Sequence, residues 1–194
     1  TGVFGQLAAN AAVNTLIAGA VGGCVAMLYM WLISPVKKPD PSMSVNGVLA
    51  GLVAITAPCA FVDTIGAVLI GTVAGVLVCL ATTWLEKAKI DDPVGAVPVH
   101  FVNGMWGVLA VGIFANGKYG AAWTLSDSSG VKGILYGDAG QLGAQALGAV
   151  VIWTVIFGIA FAFFKIQNKF TKDGGIRLSE EIEIEGADLP EMGV

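Results

Sequence analysis

The chain has 194 residues, of which 56% are hydrophobic and only 12% are charged, and its mean hydropathy is +0.79. Soluble domains carry roughly 25% charged residues, so this composition indicates an integral membrane protein and excludes a soluble globular domain. The ten lysines and arginines are scattered between apolar segments, which excludes a nucleic-acid-binding protein. The net charge of −4 comes from the C-terminal end, where six of the fourteen acidic residues lie.

Five apolar segments follow one another along the chain, each compared with the roughly 20 residues that a membrane-spanning helix needs. Glycine, at 27 residues, suits spans whose backbones approach closely. We therefore predict an all-α membrane fold of about five transmembrane helices. The second segment is the shortest and ends at Pro58. The predicted helices lie at 7–33, 45–59, 64–85, 94–114 and 139–164, and the longer separators, 34–44 and 116–138, are predicted loops.

The lysines and arginines orient this fold. Lys118 and Lys132 lie on one side of the predicted membrane, and all other cations lie on the opposite side. By the positive-inside tendency, the C-terminus is cytoplasmic and Thr1 is external. Merging or omitting a span would place cations on both sides, so the split also supports the short second crossing. The cytoplasmic cations are Lys37, Lys38, Lys87, Lys89, Lys165, Lys169, Lys172 and Arg177.

The ends of the chain differ from the apolar part. We predict a transmembrane domain at 1–174 and an acidic cytoplasmic tail at 175–194. The tail alternates glutamate with isoleucine around Ile182 and Ile184, so it is either a solvated segment or a docking segment for a cytoplasmic partner. The chain begins with Thr1, and the apolar run from Leu7 is too long for a signal peptide. We expect that sequence upstream of Thr1 is missing.

His100 is the only histidine, and it lies in the apolar fourth segment without a carboxylate on the same helix. A titratable side chain inside a membrane is expensive to keep, so by default it marks a substrate or proton path. The alternative is a core histidine that is hydrogen-bonded to a neighbouring helix. We favour the first hypothesis, in which His100 lines a path.

The residues before His100 predict a helix start at the cytoplasmic surface. Asp92 is placed to cap a helix whose first residue is Pro93, where a missing N–H costs nothing. Pro98 then falls inside the helix, where it removes a hydrogen bond and should produce a kink. A disturbed backbone below His100 could serve a pore lining. Equally, Pro98 could be a proline that the helix merely tolerates.

Other residues near His100 are candidates for the pore or for helix packing. At three- and four-residue steps, Gly104 and Gly107 share one helix face with His100. A helix face without side chains allows either close contact with another helix or a narrow lumen. When the two glycines are considered apart from His100, helix packing is the favoured interpretation. Asn103 and Thr56 could hydrogen-bond across helices or touch a solute, and both roles stay open.

Enzymatic chemistry is not expected of this chain. The sequence contains no nucleophile-base-orienter set, no phosphate-cradling glycine loop and no two-histidine metal motif. The three cysteines lack metal-site spacing and are interpreted as small buried hydrophobes, so no metal or cofactor is predicted. The residues therefore indicate a channel or transporter element for a small solute.

Several long motifs resemble those of a known family. DDPVGAVPVHFVNGMWGVLAVGIFA, from Asp91 to Ala115, is similar to the signature of the ammonium transporters, the Amt/Mep proteins related to Rh. Further agreement is found in AAVNTLIAGAVGG from Ala11, NGVLAGLVAITAPCAFV from Asn46, GILYGDAGQLGAQALG from Gly133 and GIRLSEEIEIEGADLPEMG from Gly175. The resemblance covers nearly the whole chain in order.

This resemblance implies an architecture larger than the chain. Family members have eleven transmembrane helices, with inverted repeats of five, and form homotrimers in the plasma membrane. The five segments resemble the last five helices, so the resemblance implies that the chain is a fragment. It places His100 as the second of two pore histidines; the first histidine, the recruitment aspartate and the vestibule aromatics belong to earlier helices.

The resemblance also implies a function and partners. The intact protein would transport ammonium or ammonia past hydrogen-bonding imidazoles, and the alternative is an ammonium sensor that signals through the tail. The tail resembles the family's C-terminal region, which in many prokaryotic members participates in control by PII-type proteins. Many members continue with a histidine-glycine pair where this chain has Glu191-Met192-Gly193, so control by a PII-type protein is less strongly implied than transport.

Overall fold

The computed structural model describes residues 2–35, 37–118, 130–171 and 175–186. Helices dominate this part of the chain, and its only β pairing is an isolated antiparallel bridge between Asn116 and Lys132. A π-helical turn, Val97–Val102, leads directly into α4, and a 3₁₀ turn, Ile134–Tyr136, precedes α5. The α-helices are α1 (Gly2–Leu32), α2 (Pro41–Thr56), α3 (Thr64–Lys87), α4 (Asn103–Phe114), α5 (Ala139–Phe170) and α6 (Glu180–Glu185).

The chain forms two compact units, residues 1–149 and residues 150–194, and α5 begins in the first and ends in the second. The first unit is a bundle in which α1, α2, α3 and α4 pack together. The second contains the rest of α5 and the short helix α6. Thr1, Lys172, residues 119–129 of the predicted loop and residues 187–194 of the predicted tail lie outside the described residues.

Aspartates set the starts of α2 and α3. Asp40 accepts a hydrogen bond from the Met43 N–H at 3.0 Å, and Pro41 occupies the first helical position. Asp63 accepts from the Gly66 N–H at 2.9 Å in the same way. Both satisfy N–H groups that have no partner inside the helix. The predicted start of the second helix, at residue 45, is therefore wrong by four residues.

Within the described ranges, four helical segments are long and apolar enough to cross a membrane. The three besides α1 are α3, α5, and the π turn together with α4, while α2 is shorter at 16 residues. At about 1.5 Å per residue, α2 spans roughly 24 Å, less than the hydrocarbon thickness of roughly 30 Å. That α2 crosses the membrane stays a prediction.

Small residues form the core of the first unit. Fully buried alanines lie on each of the four packed helices, among them Ala18 on α1, Ala54 on α2, Ala74 on α3 and Ala110 on α4. Side chains this small let helix backbones approach one another closely. The larger residues Ile55, Ile70 and Val78 fill the remaining space. The glycine-rich composition thus corresponds to close helix packing, as predicted.

Candidate pore-lining site

A tight turn precedes the helix that carries His100. The Gly95 N–H donates to the Asp92 carbonyl at 3.2 Å, and Gly95 has a φ of +72°, which only glycine adopts readily. The Asp92 carboxylate accepts from the N–H groups of Ala96 and Val97, both at 2.8 Å. Asp92 therefore caps this helix across a turn. The predicted first helical position at Pro93 is wrong, because Pro93 lies in the turn.

A cavity of about 180 Å³ adjoins this turn. Its lining includes Glu86, Asp91 and Asp92 together with apolar residues such as Leu85 and Pro98. The cavity thus lies beside the predicted cytoplasmic end of the helix.

Pro98 does not interrupt a helix interior. Ala96 and Val97 begin the helix, so Pro98 lies in its first turn, where N–H groups have no partner inside the helix and a missing N–H costs nothing. The predicted loss of an intrahelical hydrogen bond is therefore wrong. The backbone irregularity takes another form, because residues 97–102 wind as a π helix. Such turns close their hydrogen bonds over five residues instead of four and are frequent at functional sites.

His100 lies within this π turn, and its side chain is exposed on the first unit. Val97 and Phe101 are 40% and 42% exposed, so the turn that carries the imidazole also exposes apolar side chains. Neutral imidazole offers one donor and one acceptor nitrogen, and an exposed ring keeps both available. Among the described residues, His100 is therefore not buried in the core of the first unit.

Asn103 is fully buried directly after the π turn. Its Nδ2 donates to the Pro98 carbonyl at 2.8 Å, so the bond lies within one helical segment and does not cross to a neighbour. Its Oδ1 is buried with no hydrogen-bond partner among the described residues. The described hydrogen bond is thus not one across helices, and contact with a solute stays a prediction.

Thr56 also bonds locally. Its hydroxyl donates to the Leu52 carbonyl at 2.7 Å, one turn earlier in α2, and the residue is exposed. Threonines inside membrane helices commonly satisfy their hydroxyls in this way. The structure does not bring Thr56 together with His100 through any contact in the described part of the chain.

The two predicted glycines differ in their surroundings. Gly107 is buried, and a Cβ there would overlap the carbonyl oxygen of Ala54 in α2. Gly104 is half-buried, and a Cβ there would meet only Val53 Cγ1, at 3.9 Å. The expectation that His100, Gly104 and Gly107 share one face stays a prediction. Gly107 faces α2, whereas His100 is exposed.

Comparison with known proteins decides the family. The family model described as Ammonium Transporter Family matches residues 2–194. The chain belongs to the ammonium transporter family. Ammonium transporter Amt2 of Archaeoglobus fulgidus is 47% identical over 178 residues, covering 92% of this chain and 36% of that protein. This ammonium transporter family chain thus spans about a third of the length of that relative.

Solved structures of the ammonium transporter family share the fold. Saccharomyces cerevisiae Mep2 matches with a TM-score of 0.81 at 27% identity, covering 91% of this chain and 38% of that one. A protein titled Sensor Amt Protein matches with a TM-score of 0.76 at 33% identity, covering 95% of this chain and 42% of that one. The predicted all-α, multi-pass membrane fold is therefore confirmed.

Two asparagines that sequence reasoning missed hold the turn between α2 and α3 in this ammonium transporter family chain. Asn14 Nδ2 donates to the carbonyls of Cys59 and Val62, both at 2.9 Å, and Asn10 Nδ2 donates to the Val62 carbonyl at 3.1 Å. Two asparagines four residues apart share a helix face, so their spacing inside an apolar run was the available signal.

Trp106 has a defined contact as well. Its Nε1 donates to the Ile70 carbonyl of α3 at 3.1 Å, and its ring meets Phe114 edge to face, with centroids 6.3 Å apart. The indole thus joins α4 to α3, two turns beyond His100.

Proposed function

We propose that the protein containing this chain transports ammonium or ammonia across the membrane, and that His100 lines the path. Membership of the ammonium transporter family supports the substrate, and 47% identity to the A. fulgidus ammonium transporter supports the activity. The observation that carries the site is the exposed imidazole on an apolar π turn. The chain spans only part of its relatives, so activity belongs to the protein as a whole.

The proposed role of His100 follows from the cost of moving charge through an apolar passage. A cation is expensive to hold away from water, so ammonium must give up its proton or have it relayed. The imidazole can donate a hydrogen bond from one nitrogen and accept one at the other. His100 thereby offers a polar step between Val97 and Phe101 without adding a fixed charge. Its pore partner, by family resemblance, is a second histidine, which these 194 residues lack.

Gly104 and Gly107 act by packing or spacing in this proposal, and Pro98 and Asn103 support the turn. Gly107 lets α4 lie against the Ala54 carbonyl of α2, while Gly104 leaves space beside Val53. Thr56 is exposed and its hydroxyl proton is bonded to the Leu52 carbonyl, so in this proposal it could meet the solute only as a hydrogen-bond acceptor.

The proposed topology places the protein in the plasma membrane with the tail in the cytoplasm. The eight-to-two distribution of cations supports it. The chain corresponds in this proposal to the last five of eleven helices, in a homotrimer. Apolar side chains of α5 that are exposed within the second unit, such as Phe157 and Phe161, are available to lipid or to neighbouring subunits. Native mass spectrometry of the detergent-solubilised protein should give a trimer mass.

Regulation by a PII-type protein at the tail is a further part of the proposal. Within the described residues, Ser179 caps α6 and Arg177 pairs with Glu183, so the tail has a folded element that a partner could contact. Binding of a purified PII-type protein to vesicles, measured before and after removal of residues 175–194, tests this role.

An ammonium sensor is the second candidate function, favoured by the similarity to the Sensor Amt Protein. Flux separates the two functions. In proteoliposomes, a transporter should carry labelled methylammonium faster than protein-free vesicles do. A sensor should show no flux above that background, together with ammonium-dependent binding of a cytoplasmic partner.

A further inference from the structure

We propose that Asn103 is a positioning residue that holds His100 in its orientation by stabilising the π turn. This inference rests on the proposed function, in which His100 lines the path. Asn103 itself is fully buried and does not reach the exposed surface where His100 lies. Any effect of Asn103 on the solute must therefore act through the turn.

The hydrogen bond made by Asn103 spans the turn that carries His100. Nδ2 donates to the carbonyl of Pro98, five residues earlier, at 2.8 Å. Five residues is also the hydrogen-bond interval of a π helix, whereas an α-helix closes over four. The carboxamide therefore ties together the two ends of a segment that includes His100 and favours the wide turn over the regular one.

The width of this turn determines the direction of the imidazole. One residue of an α-helix corresponds to about 100° of rotation about the axis. If residues 97–102 relaxed to an α-helix, the turn would lose about one residue of register relative to α4, which is fixed by Trp106 and Gly107. His100 would then point in a different direction relative to α4.

The unpaired Oδ1 supports a role beyond stability. A buried polar atom without a hydrogen-bond partner destabilises the fold, and Oδ1 of Asn103 is such an atom among the described residues. An apolar side chain at this position would avoid that cost. The feature that an apolar residue cannot provide is the Nδ2 bond to Pro98, so the donor is the part of Asn103 that the turn requires.

Asn14 provides a matched control. It is also fully buried, its Oδ1 is also unpartnered among the described residues, and its Nδ2 also donates to backbone carbonyls. Those carbonyls belong to Cys59 and Val62, in the turn between α2 and α3. Loss of Asn14 should therefore weaken the bundle without altering the turn that carries His100.

The test compares Asn103→Ala and Asn103→Ser with Asn14→Ala in the native protein, expressed with its own flanking sequence. Serine is informative because its hydroxyl favours the carbonyl four residues back, and so does not replace the Nδ2 bond. Two quantities are measured: methylammonium uptake per folded molecule, and the imidazole ¹⁵N resonances of His100, assigned by their absence in His100→Ala.

We expect both Asn103 variants to move the His100 resonances and to lower uptake at least about tenfold, as misplacement of a reacting group by about 1 Å can cost more. Asn14→Ala should leave the resonances in place. Unchanged resonances in the Asn103 variants, equal shifts in Asn14→Ala, or failure of both Asn103 variants to fold would overturn the positioning role. Normal uptake by His100→Ala would instead contradict the proposed function. In that case the His100 resonances of the Asn103 variants would still test whether Asn103 positions His100.

Discussion

Alanine at Gly107 and alanine at Gly104 should have opposite effects on stability. At position 107 the new Cβ would overlap the Ala54 carbonyl oxygen and lie 3.0 Å from the carbonyl carbon, both atoms of the α2 backbone. A backbone cannot move aside as a flexible side chain can, and overpacking of this kind costs about 1–3 kcal/mol. At position 104 the nearest atom is Val53 Cγ1 at 3.9 Å, an ordinary contact.

The two variants share the helix-propensity gain, which is about 1 kcal/mol for glycine to alanine in water. Their difference therefore isolates the overpacking cost, about 1–3 kcal/mol in favour of Gly104→Ala. For a chain of this size, each kcal/mol moves a thermal midpoint by roughly 2–4 °C. Thermal unfolding of both variants in the same detergent measures this difference in stability. Equal midpoints, or a more stable Gly107→Ala, would refute the close contact between α4 and α2.

Three further predictions concern other contacts. Asn14→Ala should lower the free energy of unfolding by about 1–3 kcal/mol, because it removes the buried donor to two carbonyls; an unchanged thermal midpoint would contradict this. Asp92→Ala should cost about 1 kcal/mol by removing the acceptor for two helix N–H groups. Amide hydrogen exchange at those groups should accelerate, and Asp92→Asn should be milder. The Arg177 guanidinium lowers the pKa of Glu183 below its ordinary value of 4.5, so this pair stabilises α6 above pH 4.5 and loses its effect as pH falls through the lowered pKa. NMR of the α6 amides should show that loss in the native protein and not in Glu183→Gln.

Composition and apolar segments were sufficient to predict the fold class. Long apolar runs have few alternatives to spanning helices, because a bilayer offers no water to unpaired backbone groups. Helix boundaries were harder to predict wherever a polar residue sets them. The Asp40-Pro41 start of α2 follows ordinary capping rules, yet it lies within a proline-rich stretch that was assigned to a loop.

The π turn around His100 could not be read from the sequence. Apolar periodicity does not distinguish hydrogen bonds closed over four residues from those closed over five when every residue in the turn except His100 is apolar. Whether this turn winds as a π helix or as an α-helix depends on Asn103 and on the packing of α4 against α2 and α3.

Neighbouring helices also decide what a glycine or an asparagine does. Gly104 and Gly107 are equivalent in sequence, and only the position of the α2 backbone separates them. Asn14 is one polar residue in a long apolar run, and its partners lie 45 and 48 residues away. The sequence indicates that such residues are costly to bury, whereas their partners follow from the packed structure.

The central claim is that His100 lines the path of the transported ammonium or ammonia. Methylammonium uptake by cells that express the native protein, corrected for the amount at the cell surface, tests it with His100→Ala and a control, Thr154→Ala. Thr154 is exposed on α5, and its hydroxyl donates to the Val150 carbonyl of its own helix. If His100 lines the path, uptake should fall at least about tenfold in His100→Ala and stay normal in Thr154→Ala. Normal uptake by a folded His100→Ala protein would contradict this role.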